Sequence, residues 1–541
     1  MTTPAAQSPV QAGRMTQGDI VKALIGMLLA MMTAFLSSTI VSTALPTIIT
    51  SLHGTQDQYT WVVTATLLAS TSSTPIWGKL ADLVNKKILV QVAIFIFTLG
   101  SIAAGFAQSV DTLIVWRGLQ GLGLGGLQAL IVIVIAAMVS PRERGKYMGP
   151  IAAVMSVATV AGPLLGGFIV DSSLGWRWCF FAGAPLAVIA LVVVQRTLNI
   201  PTIKREVHID YAGAILLTSG VSTLLIWITL AGNNFEWLSV TSFVMAGVGV
   251  ALIAALLVVE TKVREPIIPL RMFTDRTTTL ATVASIGVGT AMFGGAVFLG
   301  QYFQIARGYS PTAAGLLMLP MIIGSMLSST GTGLLITKFG RWKVFLVVGS
   351  IIMTAGFGLL STIGSDTNIV AVGAYLFLLG TGMGALTQNL VLAVQNSSRA
   401  NDIGASSSIV SFFRSLGGTI GVSVLGAILS ARVANHIADG LAKLGIDASQ
   451  TAGDGGSVGL STLNELPEPI VDIVRDAYGD GTGAIFLVSL GMSVLAVICV
   501  LCIKEVRLNT KNSVEQQRAE AEATNAADDP PRDVEHEPAA I

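Results

Sequence analysis

Charged residues are scarce in this chain of 541 residues: Asp, Glu, Lys and Arg make up 11% of it, whereas hydrophobic residues make up 52%. Soluble domains carry roughly 25% charged residues. A chain of this length cannot cover a water-exposed surface with so few charges, so much of it must face lipid or other apolar helices. The formal net charge is +0, which argues against an electrostatic partner such as nucleic acid.

Residues that bind metals or form disulfides are also few, with three cysteines and four histidines. Cys179, Cys499 and Cys502 lie in apolar segments, where thiolates are disfavoured, so neither a disulfide framework nor a redox site is expected. The histidines do not form a metal-binding spacing such as H-E-x-x-H. We therefore expect no metal, no cofactor and no enzyme activity within the membrane. The polar first residues also lack the apolar core of a cleaved signal peptide.

Long apolar runs dominate the rest of the sequence. A helix that spans a membrane needs roughly 20 mostly apolar residues. About fourteen runs meet this criterion, at 21–46, 59–78, 88–108, 112–138, 147–170, 177–195, 211–231, 239–260, 279–304, 313–336, 344–363, 369–395, 404–430 and 483–503. The predicted fold class is therefore an all-α membrane protein with about 14 transmembrane helices.

The distribution of Lys and Arg predicts the orientation in the membrane. Loops 79–87 and 141–146 are rich in basic residues, whereas the loops near 47–58, 109–111 and 232–238 contain none. With a cytoplasmic N-terminus, cytoplasmic segments hold about 24 basic residues and external segments about 5, as the positive-inside rule requires. An even number of spans then places both termini in the cytoplasm.

An internal repeat divides the chain. Residues 78–87 (GKLADLVNKK) follow the second run, and residues 333–343 (GLLITKFGRWK) follow the tenth; both begin with glycine, have a polar residue four positions later and end in basic residues. Two six-span units then start at the first and the ninth run, and parallel repeats with a site between them are a transporter architecture. The predicted order is a cytoplasmic segment 1–20, a first half 21–200, two inserted helices 201–262, a second half 263–505 with an external loop 431–482 and a short helix near 470–478, and a disordered cytoplasmic tail 506–541.

The segment 78–87 resembles the cytoplasmic loop motif G-x-L-a-D-r-x-G-r-k of the major facilitator superfamily, specifically its fourteen-span drug:proton antiporter branch. Leu83 replaces a basic residue of the motif and Asn85 replaces a glycine, although asparagine tolerates the positive φ that the turn would need. The resemblance implies a fold of two six-helix halves plus two inserted helices. It also implies that Asp82 binds a helix N-terminus in the opposite half, where an anion is favoured. The residues expected to control gating through this loop are Gly78, Asp82, Lys86 and Lys87.

Two further segments carry the resemblance and concern coupling. Residues 113–121 (LIVWRGLQG) resemble the fourth-span motif, whose buried cation is Arg117 here; an arginine that only reaches the external interface is the alternative. Residues 35–46 (FLSSTIVSTALP) resemble the first-span signature L-D-x-T-I-V-N-V-A-L-P, but Ser37 stands in place of its aspartate and Ser42 in place of its asparagine. The first span therefore lacks the acid most often credited with proton coupling. The remaining candidates for coupling are Arg117, Asp57 and Asp111, with Glu236 in the loop of the insert.

Residues 149–167 resemble the fifth-span motif of the family's exporters, and residues 209–213 (IDYAG) also resemble this branch. Pro163 removes a backbone donor, and glycines allow close helix crossing, so a bent fifth span would seal one face of a cavity. The residues predicted to form this seal are Gly162, Pro163, Gly166 and Gly167. This motif favours export over uptake.

Polar side chains inside apolar runs are candidates for a substrate cavity, because uncharged polar groups and aromatics suit bulky apolar or weakly cationic ligands. Hydrogen bonds between helices are the alternative role. The candidates are Ser37, Thr39, Trp61, Thr64, Gln128, Gln301, Tyr302, Gln304, Gln388 and Asn389.

The predicted function is a secondary active transporter that exports drug-like amphipathic small molecules across the plasma membrane by alternating access, in exchange for protons. The expected partners are the small-molecule substrate, protons and membrane lipid, with a monomer as the working unit. The alternative is a facilitator, or a dedicated exporter or importer of one metabolite, peptide or lipid without standard proton coupling, and Ser37 is the reason to retain it. An enzyme or receptor is disfavoured by the lack of a suitable intramembrane cluster.

Overall fold

The computed structural model describes residues 17–54, 56–198, 200, 209–231, 235–443, 467–509 and 515–516. Within these ranges the chain forms helices with short connections and no strand, apart from a single bridge between Ala231 and Phe235. All backbone groups of a helix bond within it, which is the condition for crossing a lipid bilayer.

Nine helices lie in the described residues of the first half and the insert. In chain order they are α1 (Gln17–Ser51), α2 (Gln56–Leu83), α3 (Lys86–Gly105), α4 (Val110–Met138), α5 (Pro141–Asp171), α6 (Trp178–Phe181), α7 (Gly183–Thr197), α8 (Tyr211–Leu230) and α9 (Val240–Glu260). Local signals set several of these boundaries. Ser109 caps α4 through the backbone N–H of Thr112, and Pro141 occupies the first turn of α5, where its missing N–H costs nothing.

Seven helices follow in the part of the second half that the structure describes. They are α10 (Arg276–Gln301), α11 (Pro311–Leu317), α12 (Leu319–Phe339), α13 (Lys343–Leu360), α14 (Ile369–Ser397), α15 (Ile403–Lys443) and α16 (Glu468–Cys502). A 3-10 turn over Leu270–Thr274 precedes α10, and a π-helical turn over Tyr302–Ala306 extends it. Gly340 ends α12 at a φ of 70°, the left-handed conformation that glycine adopts without steric cost.

Each of the fourteen predicted apolar runs falls on a helix or on two consecutive helices of the structure. Twelve helical segments of the described chain are long and apolar enough to cross a membrane. The helices α2 and α5 are not among them: α2 carries a run of hydroxyl residues at 70–74, and α5 begins with the charged stretch 142–146. The all-α fold is therefore clear, and the count of fourteen spans stays a prediction.

The same helix pairs pack together in the two halves. In the first half α1 contacts α5 and α7, and α4 contacts α2 and α3; in the second, α10 contacts α15 and α16, and α14 contacts α12 and α13. Between the halves, α2 packs on α15 and α5 packs on α12, and these two contacts correspond under the repeat. We use the term basic end for the end of the bundle that carries loops 79–87 and 141–146.

The inserted helices form a hairpin in which α8 packs on α9, and α8 also contacts α2 and α15. The insert therefore lies beside the junction of the two halves. Residues 261–275, which we call the linker, lead from α9 to α10 along the basic end.

Two predictions about connecting segments need correction. Both ends of the segment 431–482, predicted as an external loop, are helical, since α15 continues to Lys443 and α16 begins at Glu468; the helix predicted near 470–478 is the start of α16. Residues 444–466 lie outside the described part. The tail predicted to be disordered from 506 is anchored at its start, since Trp342 Nε1 donates to the Val506 carbonyl at 2.8 Å and Leu508 is buried. Residues 1–16 and 517–541 also lie outside the described part.

Candidate functional site

The carboxylate of Asp82 joins the two halves at the basic end. Its Oδ1 accepts the backbone N–H of Gly404 at 2.8 Å, and its Oδ2 accepts that of Ala405 at 2.8 Å. These donors belong to the first turn of α15, where backbone N–H groups lack partners within the helix and the helix dipole favours an anion. Asp82 thus occupies the position that its motif predicts, while its role in gating remains a prediction.

Close backbone contact between α2 and α15 depends on Gly78. A Cβ atom at this position would collide with the Ser408 side chain and the Gly404 carbonyl oxygen. Lys86 lies close enough to Asp82 to attract its carboxylate. The positive φ considered for Asn85 is wrong: its φ is −60°, and its Oδ1 caps α3 by accepting the N–H of Lys87 at 2.9 Å. The loop is ordered by a helix cap rather than by a left-handed turn.

A second set of contacts joins the halves at the same end. Arg144, at the start of α5, is buried and donates through Nη1 to Gln395 Oε1 at 2.6 Å; Gln395 in turn donates to Ser407 Oγ at 2.8 Å. Beside it, Gly145 and Gly333 lie backbone against backbone, so that a Cβ on either would collide with the other. We call the contacts of Asp82 with Gly404 and Ala405, and of Arg144 with Gln395, the basic-end latch.

Sequence reasoning did not identify the second set. Arg144 was counted only as a basic loop residue, and Gln395 lay at the end of an apolar run. The repeat of the Gly78 segment at Gly333 is the sequence feature that could have predicted these contacts. Because Gly78 packs against a helix of the opposite half, the repeat predicts that Gly333 does so too.

The linker bonds to both sides of the junction. Lys79 Nζ lies 2.5 Å from Glu265 Oε2, and Arg271 Nη2 lies 2.8 Å from Asp402 Oδ2. Lys79 belongs to α2, and Asp402 immediately precedes α15. Lys79 and Asp402 are buried, so both ion pairs are partly shielded from solvent.

In the first half, Arg117 and Ser37 are brought together through a residue that sequence reasoning did not single out. Arg117 Nη1 donates to Gln120 Oε1 at 2.6 Å, and Gln120 Nε2 donates to Ser37 Oγ at 3.3 Å. All three side chains are buried. In the described part of the chain, Arg117 forms no ion pair within 4.0 Å. Its guanidinium group is hydrogen-bonded to the neutral amide of Gln120 rather than to a carboxylate.

The acids predicted for coupling lie elsewhere. Asp111 is exposed in the first turn of α4, where its Oδ1 accepts the Gln58 amide at 3.0 Å. Glu236 is exposed between the two inserted helices. Asp57 belongs to α2, but its side chain lies outside the described part. The structure therefore does not bring Asp111 to Arg117 as an ion pair.

The fifth-span motif packs against α1. A Cβ at Gly162 would collide with the Thr39 side chain, and one at Gly166 would contact Ile40 and Thr43. Gly167 has no neighbour within 4 Å of its Cβ position, so it does not share this packing role. The side chain of Pro163 lies outside the described part.

Several residues predicted for the cavity are occupied by structural hydrogen bonds. Thr39 Oγ1 donates to the Ala158 carbonyl at 2.9 Å, and Tyr302, fully buried, donates to the Gly364 carbonyl at 2.8 Å. Asn389 Nδ2 donates to the Ala385 carbonyl at 2.7 Å, whereas the buried Gln388 Oε1 has no partner. Those not fully buried are Thr39, Trp61, Thr64, Gln128, Gln301 and Gln304.

Comparison with known proteins identifies the family. The profile of the Major Facilitator Superfamily matches residues 27–422. The chain belongs to the major facilitator superfamily. It is 32% identical over 531 residues to the multidrug transporter protein MdtP of Bacillus subtilis, with 94% of this chain and 97% of MdtP covered. It is 31% identical over 509 residues to the efflux pump dotC of Dothistroma septosporum, with 93% and 86% covered.

The fold agrees with that of solved members of the superfamily. A structure of the proton:xylose symporter XylE matches with a TM-score of 0.60 at 12% identity, covering 93% of this chain and 100% of that one. This major facilitator protein is thus a multi-pass membrane transporter and not an enzyme. Its relatives agree with the drug:proton antiporter branch inferred from the motifs.

Proposed function

We propose that the protein exports drug-like amphipathic small molecules by alternating access, in exchange for protons. The observation that carries this proposal is the basic-end latch, in which residues of one half bond directly to helix ends of the other. Hydrogen bonds and backbone contacts of this kind can break as a set without disturbing the packing within either half. The names of MdtP and dotC, a multidrug transporter and an efflux pump, support export as the direction.

The conformation fits one stage of that cycle. By the positive-inside rule the basic end is cytoplasmic, so a closed latch corresponds to a state shut toward the cytoplasm. The opposite state would require α2 to leave α15 and α5 to leave α12. Because both contacts use glycine backbones, the separating surfaces are smooth rather than interdigitated.

A second candidate function has one observation in its favour. Ser37, which accepts a hydrogen bond from Gln120, stands where the family has an aspartate. A serine hydroxyl cannot exchange a proton as a carboxyl group does, so this position cannot provide the coupling site. A facilitator, or a dedicated exporter or importer of one metabolite, peptide or lipid, would need no such group. Proton coupling thus requires an acid elsewhere in the chain.

The remaining assignments belong to the same proposal. The protein works as a monomer in the plasma membrane, with both termini in the cytoplasm, and its partners are the small-molecule substrate, protons and membrane lipid. A monomer suffices because the two halves that would rock against each other belong to one chain.

The test uses inside-out membrane vesicles that contain the protein, with an acidic lumen and the fluorescent cation ethidium outside. We expect ethidium to accumulate in the lumen and the accumulation to vanish when an uncoupler collapses the proton gradient. Vesicles without the protein give the background, and vesicles with a known proton-driven exporter give the positive control.

Ethidium uptake that persists after the gradient collapses would favour the facilitator. If the positive control responds and this protein does not, coupled export of cationic drugs is the wrong function.

A further inference from the structure

A buried acid lies at the basic end of the inserted hairpin. Glu260 ends α9 and is only 4% exposed. Its Oε2 accepts the N–H of Ile268 at 3.2 Å, which folds the linker back over the helix end. The backbone of Ile267 also stabilises the carboxylate, but Oε1 has no partner at hydrogen-bond geometry. A buried carboxylate oxygen without a partner is costly when the group is ionised.

A second buried acid stands at the start of the partner helix. Asp210 caps α8 by accepting the N–H of Gly213 through Oδ1 at 2.7 Å. It is 5% exposed, and its Oδ2 also has no partner. Asp210 and Glu260 are close enough to repel each other electrostatically, and Lys79 is close enough to attract Glu260. Two unpaired carboxylate oxygens are therefore gathered where α2, α8 and the linker meet.

The charges in this cluster do not balance. Three carboxylates, those of Asp210, Glu260 and Glu265, face one ammonium group, that of Lys79, which is already bonded to Glu265. Farther along α2, Asp82 is attracted to Lys86 at the start of α3. The other cations of the linker near this point, Lys262 and Arg264, are exposed to solvent. Among the described residues, the cluster is therefore short of positive charge by two units when all its acids are ionised; Lys204 and Arg205, which precede Asp210, lie outside the described part.

A proton supplies that charge better than a metal ion. Protonation of one carboxyl removes the mutual repulsion and turns an unpaired acceptor oxygen into a potential donor. A metal cation would have to displace or repel the ammonium of Lys79, which already occupies the cluster. The described residues also contain no group of three or more metal-binding side chains with suitable spacing.

We propose that Asp210 and Glu260 form a proton-binding site at the base of the inserted hairpin, and that this proton is exchanged as the basic-end latch opens. The inference rests on the proposed proton-coupled transport and supplies the acid that Ser37 cannot provide. Opening of the latch gives the site access to water at the basic end, to which the protonated carboxyl releases its proton and becomes a carboxylate.

The linker connects this site to the latch. Lys79 lies on the same helix as Gly78 and Asp82, and Arg271 holds Asp402 just before the α15 turn that binds Asp82. Because the linker is bonded to both α2 and the start of α15, we expect the separation of these elements to break one of its two ion pairs. Breaking the Lys79–Glu265 pair changes the electrostatic attraction of Lys79 for Glu260. Breaking the Arg271–Asp402 pair loosens the linker that covers Glu260.

The test uses the full chain in proteoliposomes with ethidium as the probe and two readouts. The first is accumulation driven by an imposed proton gradient, and the second is counterflow, the exchange of ethidium with unlabelled ligand at equal pH. We expect Glu260→Gln and Asp210→Asn to lower gradient-driven accumulation about tenfold, within the usual range of coupling between two sites, while counterflow continues. Continued counterflow shows that these variants are folded.

The control is Asp366→Asn, which removes an exposed carboxylate from the loop between α13 and α14, a position given no part in coupling; it should behave as the wild type in both readouts. Wild-type accumulation in both Glu260→Gln and Asp210→Asn would overturn the site while leaving coupled export intact. Loss of counterflow together with accumulation would assign these acids a structural role and also overturn the site. Wild-type protein that ignores the gradient would instead overturn the proposed function.

Discussion

A single carboxylate, Asp82, binds two backbone donors that belong to the opposite half of the molecule. Asparagine at this position retains one acceptor oxygen and loses the charge. Since hydrogen bonds to a charged group contribute about 1.5–3 kcal/mol, we predict that Asp82→Asn shifts the equilibrium strongly toward separated halves at the basic end. Spin labels on cysteines introduced at Arg142 and Arg341, both exposed, would report the change as longer distances.

Asp275 provides the matched control for this substitution. It caps α10 by accepting the N–H of Thr278 at 2.9 Å, but both residues belong to the same half. Asparagine caps a helix about as well as aspartate, so Asp275→Asn should lower stability only by about 0.3–1 kcal/mol, through the lost charge at the helix N-terminus, and leave the label distances unchanged. Equal distance changes in the two variants would show that Asp82 acts only as a helix cap.

Residues of the Arg117 chain show how context changes the meaning of a motif. Arg117 matches its family position, yet its hydrogen-bond partner is the amide of Gln120. Gln120 in turn donates to the hydroxyl of Ser37, where this series of hydrogen bonds ends. An arginine bonded to neutral groups retains its charge, since its intrinsic pKa lies far above physiological pH. In this chain it can bind or orient an anionic or polar group, while proton exchange needs a carboxyl group.

At the scale of helices, the contact between α5 and α12 depends on two glycines facing each other, Gly145 and Gly333. A side chain at Gly333 would meet the backbone of Gly145, which cannot move aside as a flexible side chain could. We predict that Gly333→Val forces the two helices apart, because overpacking of this kind costs about 1–3 kcal/mol. The labels at Arg142 and Arg341 should separate, and thermal stability of the closed state should fall.

Gly331→Val is the control, since it places the same β-branched residue in the same helix at a position with no neighbour within 4 Å of its Cβ. Gly331→Val changes helix propensity as Gly333→Val does, but it causes no collision with α5. If both variants separate the labels to the same extent, helix propensity explains the effect, and the glycine contact has no role in closure.

The inserted hairpin is the element whose placement adds most to the proposed mechanism. Its helix α8 touches both α2 and α15, and the linker that follows α9 bonds to residues beside both. Asp210 caps α8 and Glu260 binds the linker, but each keeps a second buried oxygen without a hydrogen-bond partner, which neither structural role requires.

At the scale of the whole molecule, the proposed sidedness can be tested directly. We predict that a cysteine at Arg142 reacts with a membrane-impermeant maleimide only in inside-out vesicles, and that one at Glu236 reacts only in intact cells or right-side-out vesicles. Both positions are exposed, so access depends on the side of the membrane. The variants are made after Cys502, the exposed natural cysteine, has been replaced.

The reversed labelling pattern would place the basic end outside the cell. The closed latch would then correspond to a state shut toward the exterior, and the direction of the proposed cycle would have to be reassigned.

Hydropathy and local motifs determined most of the architecture. Every predicted apolar run lies on helical structure, since twenty or so apolar residues in sequence have few alternatives to a helix in lipid. The repeat of Gly78 and Gly333 was visible because close helix contact at each position demands the smallest residue. The identity of the family followed from the same local patterns.

Only the tertiary structure decided which residues meet. Asp82 and Gly404 are 322 positions apart, and Arg144 and Gln395 are 251 apart, so periodicity along the chain carries no information about these contacts. In the sequence, Glu260 is the last residue of an apolar run and Asp210 belongs to the segment IDYAG. Their burial beside Lys79 depends on how the linker folds across the basic end, because the cost of burying a charge is set by its surroundings in space and not by its neighbours in sequence.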